Sequence, residues 1–271
     1  MIDSLPPLLK WPGGKRWLVP TLARLYEPYR DRTYVSLFVG GGADVFGLAP
    51  ARAILNDINP HLMNFYKWVQ SGVSLHHTAV NTENTAQSYA HNRTLFNSLI
   101  THGTHKTPTA AMLFYWLNKA GYNGLCRFNK KGLYNVPYGK YGKIRLLPCQ
   151  DGKRTLTFSH YSASMHGWTL SNSDFVEVDF PDGAFIYADP PYDDGFTGYS
   201  AGGFTWDDQE RLVKFLANYD GPVAISNKAT PRIEELYRDY GYSLTHVDAP
   251  RRIACNGNRD KVVEVLAVKG K

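Results

Sequence analysis

An α/β architecture with a mostly parallel sheet, interrupted by a basic and largely helical insertion, is the fold class that this 271-residue sequence predicts. Three observations predict it. Short apolar runs end repeatedly in Gly, Asp or Asn: residues 34–39 before Gly40-Gly41-Gly42, 51–55 before Asn56-Asp57, and 184–188 before Asp189-Pro190-Pro191. Stretches of helical apolar spacing accompany them at 17–26, 206–219 and 233–240. Between 119 and 154 stand nine basic residues and one acid, Asp151, interleaved with Tyr122, Phe128, Tyr134, Tyr138 and Tyr141.

Taken in order, Lys10-Trp11-Pro12-Gly13-Gly14-Lys15 is too rich in Gly and Pro for regular structure and reads as a loop leading into the first helix. The run 34–39 reads as a strand feeding a glycine turn, and 51–55 as a second strand. Strands ending in polar residues put a ligand at the carboxyl ends of the sheet. After about Leu62 the chain turns polar and rich in His, Asn and Thr, with a helical patch at 111–119. Residues 62–165 are therefore expected to form an insertion, and 1–61 with 166–271 the core. The α/β pattern resumes with a strand at 184–188. A helix at 206–219 follows, with Asp207 and Asp208 in its first turn. A strand at 223–226, a helix at 233–240 and a closing strand at 262–268 complete the core.

Composition narrows the function classes. Lys and Arg number 30 against 24 Asp and Glu, a net charge of +6 that suits a polyanionic partner. Asp3, Pro6 and Pro7 interrupt any signal-peptide pattern, and no apolar run reaches the length of a membrane span. Cys126, Cys149 and Cys255 are odd in number and lack a CxxC pair, so neither a disulfide framework nor a cysteine zinc site is expected, and a reducing cytoplasm is. His102 and His105 are spaced like metal ligands but have no third partner nearby and read as loop histidines. Between 174 and 194 there are seven acids and no Lys or Arg, which reads as solvated loop or as the wall of a pocket for a cationic ligand.

Three constellations carry chemistry. Phe38-Val39-Gly40-Gly41-Gly42 lets a backbone approach a ligand closely, but Val45 stands where a dinucleotide fingerprint needs its third glycine. An adenosyl group without a pyrophosphate remains compatible, and so does a purely structural turn. Asp57 reads either as an acceptor for ribose hydroxyls or as a helix N-cap. Asp189-Pro190-Pro191-Tyr192 is the most specific. An exocyclic amine on a base is a poor nucleophile because its lone pair is delocalised into the ring. Two acceptors on its hydrogens favour a tetrahedral nitrogen and aim the lone pair. A carboxylate and a backbone carbonyl, held by consecutive prolines, supply such acceptors, and the adjacent aromatic ring offers a stacking face for an extruded base.

On these residues the chain resembles the Dam-type DNA adenine-N6 methyltransferases along nearly its whole length and in the family's order. Residues 10–15 look like the family's N-terminal cofactor motif, 38–46 like its glycine motif, Asn56-Asp57-Ile58-Asn59 like its ribose-binding acid, and 189–192 like its catalytic motif. Gly121-Tyr122-Asn123-Gly124-Leu125-Cys126-Arg127-Phe128-Asn129 with Asn135-Val136-Pro137-Tyr138-Gly139 resembles its target-recognition hairpin. The resemblance implies a Rossmann-like, S-adenosylmethionine-dependent methyltransferase core whose mostly helical DNA-recognition insertion contains a β-hairpin. It implies S-adenosylmethionine as donor, S-adenosylhomocysteine as product, no metal, and a monomer acting on double-stranded DNA. Trp11, Lys15, Phe38, Gly40, Gly42, Asp57, Asp174, Phe175 and Asp189 would contact the cofactor. Asp189, Pro190, Pro191 and Tyr192 would hold the target adenine. Lys10 would lie near the bases, Tyr122 would wedge into the stack, and Asn123 would help fill the gap. Leu125 and Pro137 would meet thymine methyls, and Arg127 would read a guanine edge. The expected site is GATC. Lys140 stands where close relatives often have Arg, and Lys lacks the rigid fork. Asp174-Phe175 follows Asn172-Ser173 in a step that varies among members. Other readings are a cytosine-N4 or RNA-adenine methyltransferase, a silent DNA-binding relative, and an NAD-linked oxidoreductase, against which the missing third glycine weighs.

Overall fold

The computed structural model describes residues 4–150, 154–192, 203–249 and 262–270; Asp3, Asp151 and Cys255, named above, lie outside them, as do two of the seven acids between 174 and 194, Asp193 and Asp194. The chain runs through α1 (Val19–Tyr26), β1 (Tyr34–Ser36), α2 (Ala43–Leu48), β2 (Ala53–Asn56), α3 (Pro60–Gln70), α4 (Ala86–Thr101), α5 (Pro108–Ala120), β3 (Cys149–Gln150), β4 (Arg154–Thr155), α6 (Phe158–Ser164), β5 (Trp168–Ser171), β6 (Phe185–Ala188), α7 (Trp206–Ala217), β7 (Val223–Lys228), α8 (Pro231–Asp239), β8 (Ser243–Ala249) and β9 (Val262–Lys269). Seven of these strands form one sheet in the order β5-β2-β1-β6-β7-β9-β8. The first five are parallel, and β9 joins β7 and β8 antiparallel. From β1 the chain winds outward to β2 and β5, then returns to the other flank with β6 and β7. The point of reversal, between β1 and β6, is where an open α/β sheet leaves a crevice beyond its carboxyl ends.

Alternation along the central strands divides the core. Tyr34, Leu55, Phe185 and Tyr187 point to one face with α1, α2, α3 and α5; Val35, Ile54, Ile186 and Ile225 point to the other with α7 and α8. Both faces are covered, which explains why these strands read as continuous apolar runs. The first cluster extends without a break through α5 and residues such as Tyr89, Phe96 and Tyr134, so the insertion shares its core with one face of the sheet.

The α/β class is the one observed. Individual bounds differ for physical reasons. Strand β1 ends at Ser36, but residues 37–39 continue to bond as Leu37 N–H donates to Tyr187 O and Val39 N–H to Asn56 O. The expected boundary at 62 falls inside α3, which starts at Pro60 under an Asn59 cap and buries Leu62, Met63, Phe65, Tyr66 and Val69. Helices α4 and α6 and strands β3, β4, β5 and β8 were not expected as elements, and α3 was foreseen only as the helix that Asp57 could cap. Helix α4 mixes Ser88 and Asn92 into its inward side, which blurs its apolar period. Two isolated antiparallel bridges, Gly121 with Tyr138 and Phe128 with Tyr134, close an irregular hairpin in the insertion. The His61 ring stacks on Phe128 at 4.9 Å, fixing that hairpin to α3, and burial followed by the neighbouring His105 pushes the His61 pKa down to about 4. Among the described residues no helix is long and apolar enough to cross a membrane.

The Asn59 side chain accepts from the backbone of His61 and Leu62 at 3.0 and 3.2 Å. Replacing it with Ala removes the cap of α3, and urea denaturation is expected to show a loss of about 1 kcal/mol.

Candidate active site

The crevice beyond the carboxyl ends of β1, β2, β6 and β7 is lined by polar groups from distant parts of the chain. Asp189 follows β6 directly. Its Oδ1 accepts from Lys15 Nζ at 3.0 Å and from Ser226 Oγ at 2.8 Å. Lys15 is 3 % exposed; its ammonium also donates to Gly13 O at 2.9 Å and to Tyr192 Oη at 2.6 Å, and stands 3.6 Å from Glu264 Oε2. One buried cation thus joins the N-terminal loop, the Asp-Pro-Pro-Tyr turn and β9. Burial raises the Asp189 pKa while Lys15 and Ser226 pull it back. The Tyr192 hydroxyl is pushed far up by burial, then by the charges of Asp189 and Glu264, so it stays a neutral phenol. The two proline carbonyls differ. Pro191 O accepts from Gln209 Nε2 at 2.8 Å, whereas Pro190 O has no hydrogen-bond partner among the described residues.

On the other side of the switch point lies the glycine turn. Gly40 and Gly42 have φ of 46° and 70°. A Cβ on Gly40 would meet the Trp11 indole at 2.7 Å and one on Gly42 would meet the Phe46 ring at 2.9 Å, so the turn needs glycine for its own packing as well as for any ligand. Asp57, just past β2, accepts from Gly40 N–H at 3.1 Å and from Asn59 N–H at 2.9 Å. The helix cap is Asn59, which removes the capping alternative for Asp57. Burial, partly offset by these two bonds, raises the Asp57 pKa to about 6. Fully buried Asn56 ties the strand ends together, donating to Leu37 O and Ser173 O and accepting from Ser173 N–H. Phe38 and Phe175 lie 5.6 Å apart. Phe175 is nearly buried, with the Arg211 guanidinium 4.7 Å from its ring. Asp174 caps the following turn through Val176 N–H and pairs with Arg211 at 2.7 Å, so its carboxylate is already engaged.

The residues expected to meet DNA lie on the N-terminal loop and on the irregular hairpin. Lys10 and buried Asn118 exchange two bonds, Lys10 N–H to Oδ1 at 2.9 Å and Nδ2 to Lys10 O at 2.8 Å, which docks the N-terminal loop on α5. The Lys10 ammonium donates to Lys119 O and sits 4.1 Å from the Tyr141 ring; burial lowers its pKa. Tyr122 is 46 % exposed, more than any other described aromatic ring of the hairpin. Asn123 beside it has φ of 51°, held as its N–H donates to Tyr141 Oη at 2.8 Å. Arg127 donates from Nε to Asn135 Oδ1 and from Nη2 to Asn135 O. Pro137 and Lys140 are exposed, whereas Leu125 is turned into the core and only 7 % exposed.

Several residues of the site were not singled out in the sequence: Ser226, Glu264, Gln209, Asn227 and Asn118, while Asn56 was read only as part of the Asn56-Asp57 strand end. Asn227 donates to Gln209 Oε1 at 3.1 Å and so braces the turn from β7. A polar pair such as Ser226-Asn227 ending an apolar strand was the available hint. Asp44, at the start of α2, is buried and accepts from Ser36 Oγ and Tyr34 Oη. Burial raises it from an ordinary 3.8 to about 6, against those bonds.

The D12 class N6 adenine-specific DNA methyltransferase family matches residues 11–253. The DNA N-6-adenine-methyltransferase of Escherichia phage P1 is 34% identical over 96% of this chain and 35% of that protein, so the chain spans about a third of its length. A DNA adenine methylase of Vibrio cholerae is 35% identical over 96% of this chain and 94% of that protein, and one of Escherichia coli K12 is 32% identical over 96% and 94%.

Because Asp44 binds its proton more tightly when folded than when unfolded, stability falls as pH rises from about 4 through about 6. Asp44→Asn is expected to flatten that slope in pH-dependent urea denaturation, leaving the part due to the other raised carboxyls, Asp57, Asp189 and Glu264. An unchanged slope contradicts the assignment.

Proposed function

The chain belongs to the D12 class of N6 adenine-specific DNA methyltransferases, and we propose that it moves a methyl group from S-adenosylmethionine to N6 of an adenine flipped out of duplex DNA, within GATC or a closely related site. The observation that carries this reading is Asp189: a carboxylate with Oδ1 engaged, next to a Pro190 carbonyl that has no partner among the described residues, at the switch point of the sheet.

The residues fit the cofactor. Beyond β2, Asp57 keeps unused lone pairs for ribose hydroxyls, and Phe38 and Phe175 give an apolar wall suited to an adenine ring. When bound, S-adenosylmethionine supplies an electrophilic methyl carbon on a sulfonium. The protein's part is orientation. Asp189 and the Pro190 carbonyl accept the two N6 hydrogens and turn the nitrogen lone pair outward. Tyr192, its hydroxyl pinned by Lys15, offers its ring to the base. The leaving thioether is neutral, so no acid is called for on that side. The N6 proton departs after transfer, when the nitrogen has become strongly acidic, along its hydrogen bond to the Asp189 carboxylate and on to solvent.

Residues 62–165 are assigned to target recognition. Tyr122, the most exposed ring of the hairpin, fills the stack where the base leaves, with Asn123 beside it. Asn135 holds Arg127 by Nε and one Nη2 hydrogen, which leaves the outer Nη1–Nη2 edge for O6 and N7 of a guanine. Lys140 contacts the second guanine as a point charge without a fork. Pro137 presents an apolar edge to a thymine methyl. Leu125 takes part only if its inward side chain turns out. The enzyme is assigned to the cytoplasm, as a monomer on DNA, with no resident metal.

Asp189→Ala is expected to abolish methyl transfer, a loss of about 10³-fold or more, while gel-shift affinity for duplex DNA stays near that of the parent. Undiminished turnover contradicts the reading. Expression in a methylation-free host followed by genome-wide mapping of modified bases is expected to place N6-methyladenine in GATC, with relaxed discrimination at the base read by Lys140. Lys140→Arg is expected to sharpen that position by about 1–3 kcal/mol.

A further inference from the structure

The side chain of Ser226 lies on β7, and the register of β7 with β6 pairs Ile225 with Ala188, so Ser226 falls beside Asp189 by main-chain geometry alone. Its hydroxyl donates to Asp189 Oδ1 at 2.8 Å. A serine hydroxyl has one hydrogen, and that hydrogen is spent. The 2.8 Å contact between Ser226 Oγ and Tyr187 Oη must therefore have Tyr187 as donor. Ser226 and Tyr187 are 1 % and 2 % exposed, so water does not substitute for either. Lys15 lands on the same oxygen, Oδ1, at 3.0 Å. Asp189 Oδ2 has no partner among the described residues, and the carboxylate cannot rotate without breaking both bonds to Oδ1.

We propose that Ser226, backed by Tyr187, is a positioning residue that works with Lys15 to reserve Asp189 Oδ1 for the protein and leave Oδ2 as the acceptor for the N6 amine. The inference rests on the methyl-transfer reading and deepens it. The amine meets an oxygen whose direction is set by β6, β7 and the N-terminal loop before the base arrives, which is preorganisation. The two donors on Oδ1 also favour the ionised carboxylate that must accept a hydrogen. Among the described residues the groups facing it are Lys15, Glu264, Tyr187, Tyr192, Tyr237 and Ser226; burial raises Asp189, and Lys15 and Ser226 lower it. Removing the Ser226 donor moves Asp189 up, so activity is lost at a higher pH as the solution is acidified.

The test compares the full chain with its Ser226→Ala and Tyr187→Phe variants in steady-state methylation of duplex DNA across the acid limb of the pH profile. Ser226→Ala is expected to lower kcat by about tenfold or more, to leave KM for S-adenosylmethionine and DNA within about twofold, and to shift the acid limb upward. Tyr187→Phe keeps the ring and is expected to give a smaller change of the same kind, which decides the matter if Ser226→Ala folds poorly. Parental kcat and acid limb in both variants, or a loss confined to KM, overturns the proposal. If the parent chain itself fails to methylate adenine, or Asp189→Ala retains activity, the methyl-transfer reading fails instead.

Discussion

A lysine ammonium taken almost wholly out of water has to be surrounded by oxygen, and the site is built around that constraint. Lys15 reaches Gly13 O, Tyr192 Oη and Asp189 Oδ1 within hydrogen-bond distance, with Glu264 a little further off. These groups come from a loop near the N-terminus, from the turn after β6 and from β9, segments up to about 250 residues apart in sequence. Removing either partner from a pair of this kind costs about 3–5 kcal/mol, because the other charge is left buried and unmatched. The same contacts that keep the lysine solvated by protein fix the carboxylate and the phenol assigned to the target base. Binding geometry and local stability are therefore one arrangement.

Around this cation the sheet supplies two further fixed points. Asn56 and Asp57 lock the ends of β1, β2 and the segment after β5 into one surface, on the side assigned to the adenosyl group. Asn227 and Gln209 brace the Asp-Pro-Pro-Tyr turn from β7, on the side assigned to the base. Each uses a neutral amide, which satisfies donors and acceptors together without adding charge to a crevice that already holds Lys15, Asp189 and Glu264. The N-terminal loop and the irregular hairpin meet over Asn118, so the segment that carries Lys15 inward also docks Lys10 against α5.

The core strands were legible because they are buried on both faces and end in Gly, Asp or Asn. Strands β1, β2, β6, β7 and β9 appear within a few residues of their expected places. The Asp-Pro-Pro-Tyr turn, the glycine turn and Asp57 were legible because their chemistry is local in sequence. What was not legible depends on long-range pairing. Glu264 looks like an outward position in the run Val262-Val263-Glu264-Val265, yet antiparallel pairing opposite Lys228 brings it to the crevice. Ser226 reads as a strand end until the register with β6 sets it beside Asp189. Asp57 was open between ribose acceptor and cap because both readings use the same acid before Pro60; the bonds to Asn59 decide in favour of Asn59 as the cap.

A crystal structure of the protein with S-adenosylhomocysteine and a duplex containing GATC tests the central claim most directly, through the distances from the target N6 to the two oxygens of Asp189. The expected result is N6 within hydrogen-bond distance of Oδ2 and of the Pro190 carbonyl, with Lys15 and Ser226 still on Oδ1. An adenine that remains stacked in the duplex, or an N6 held away from the carboxylate, would contradict the account.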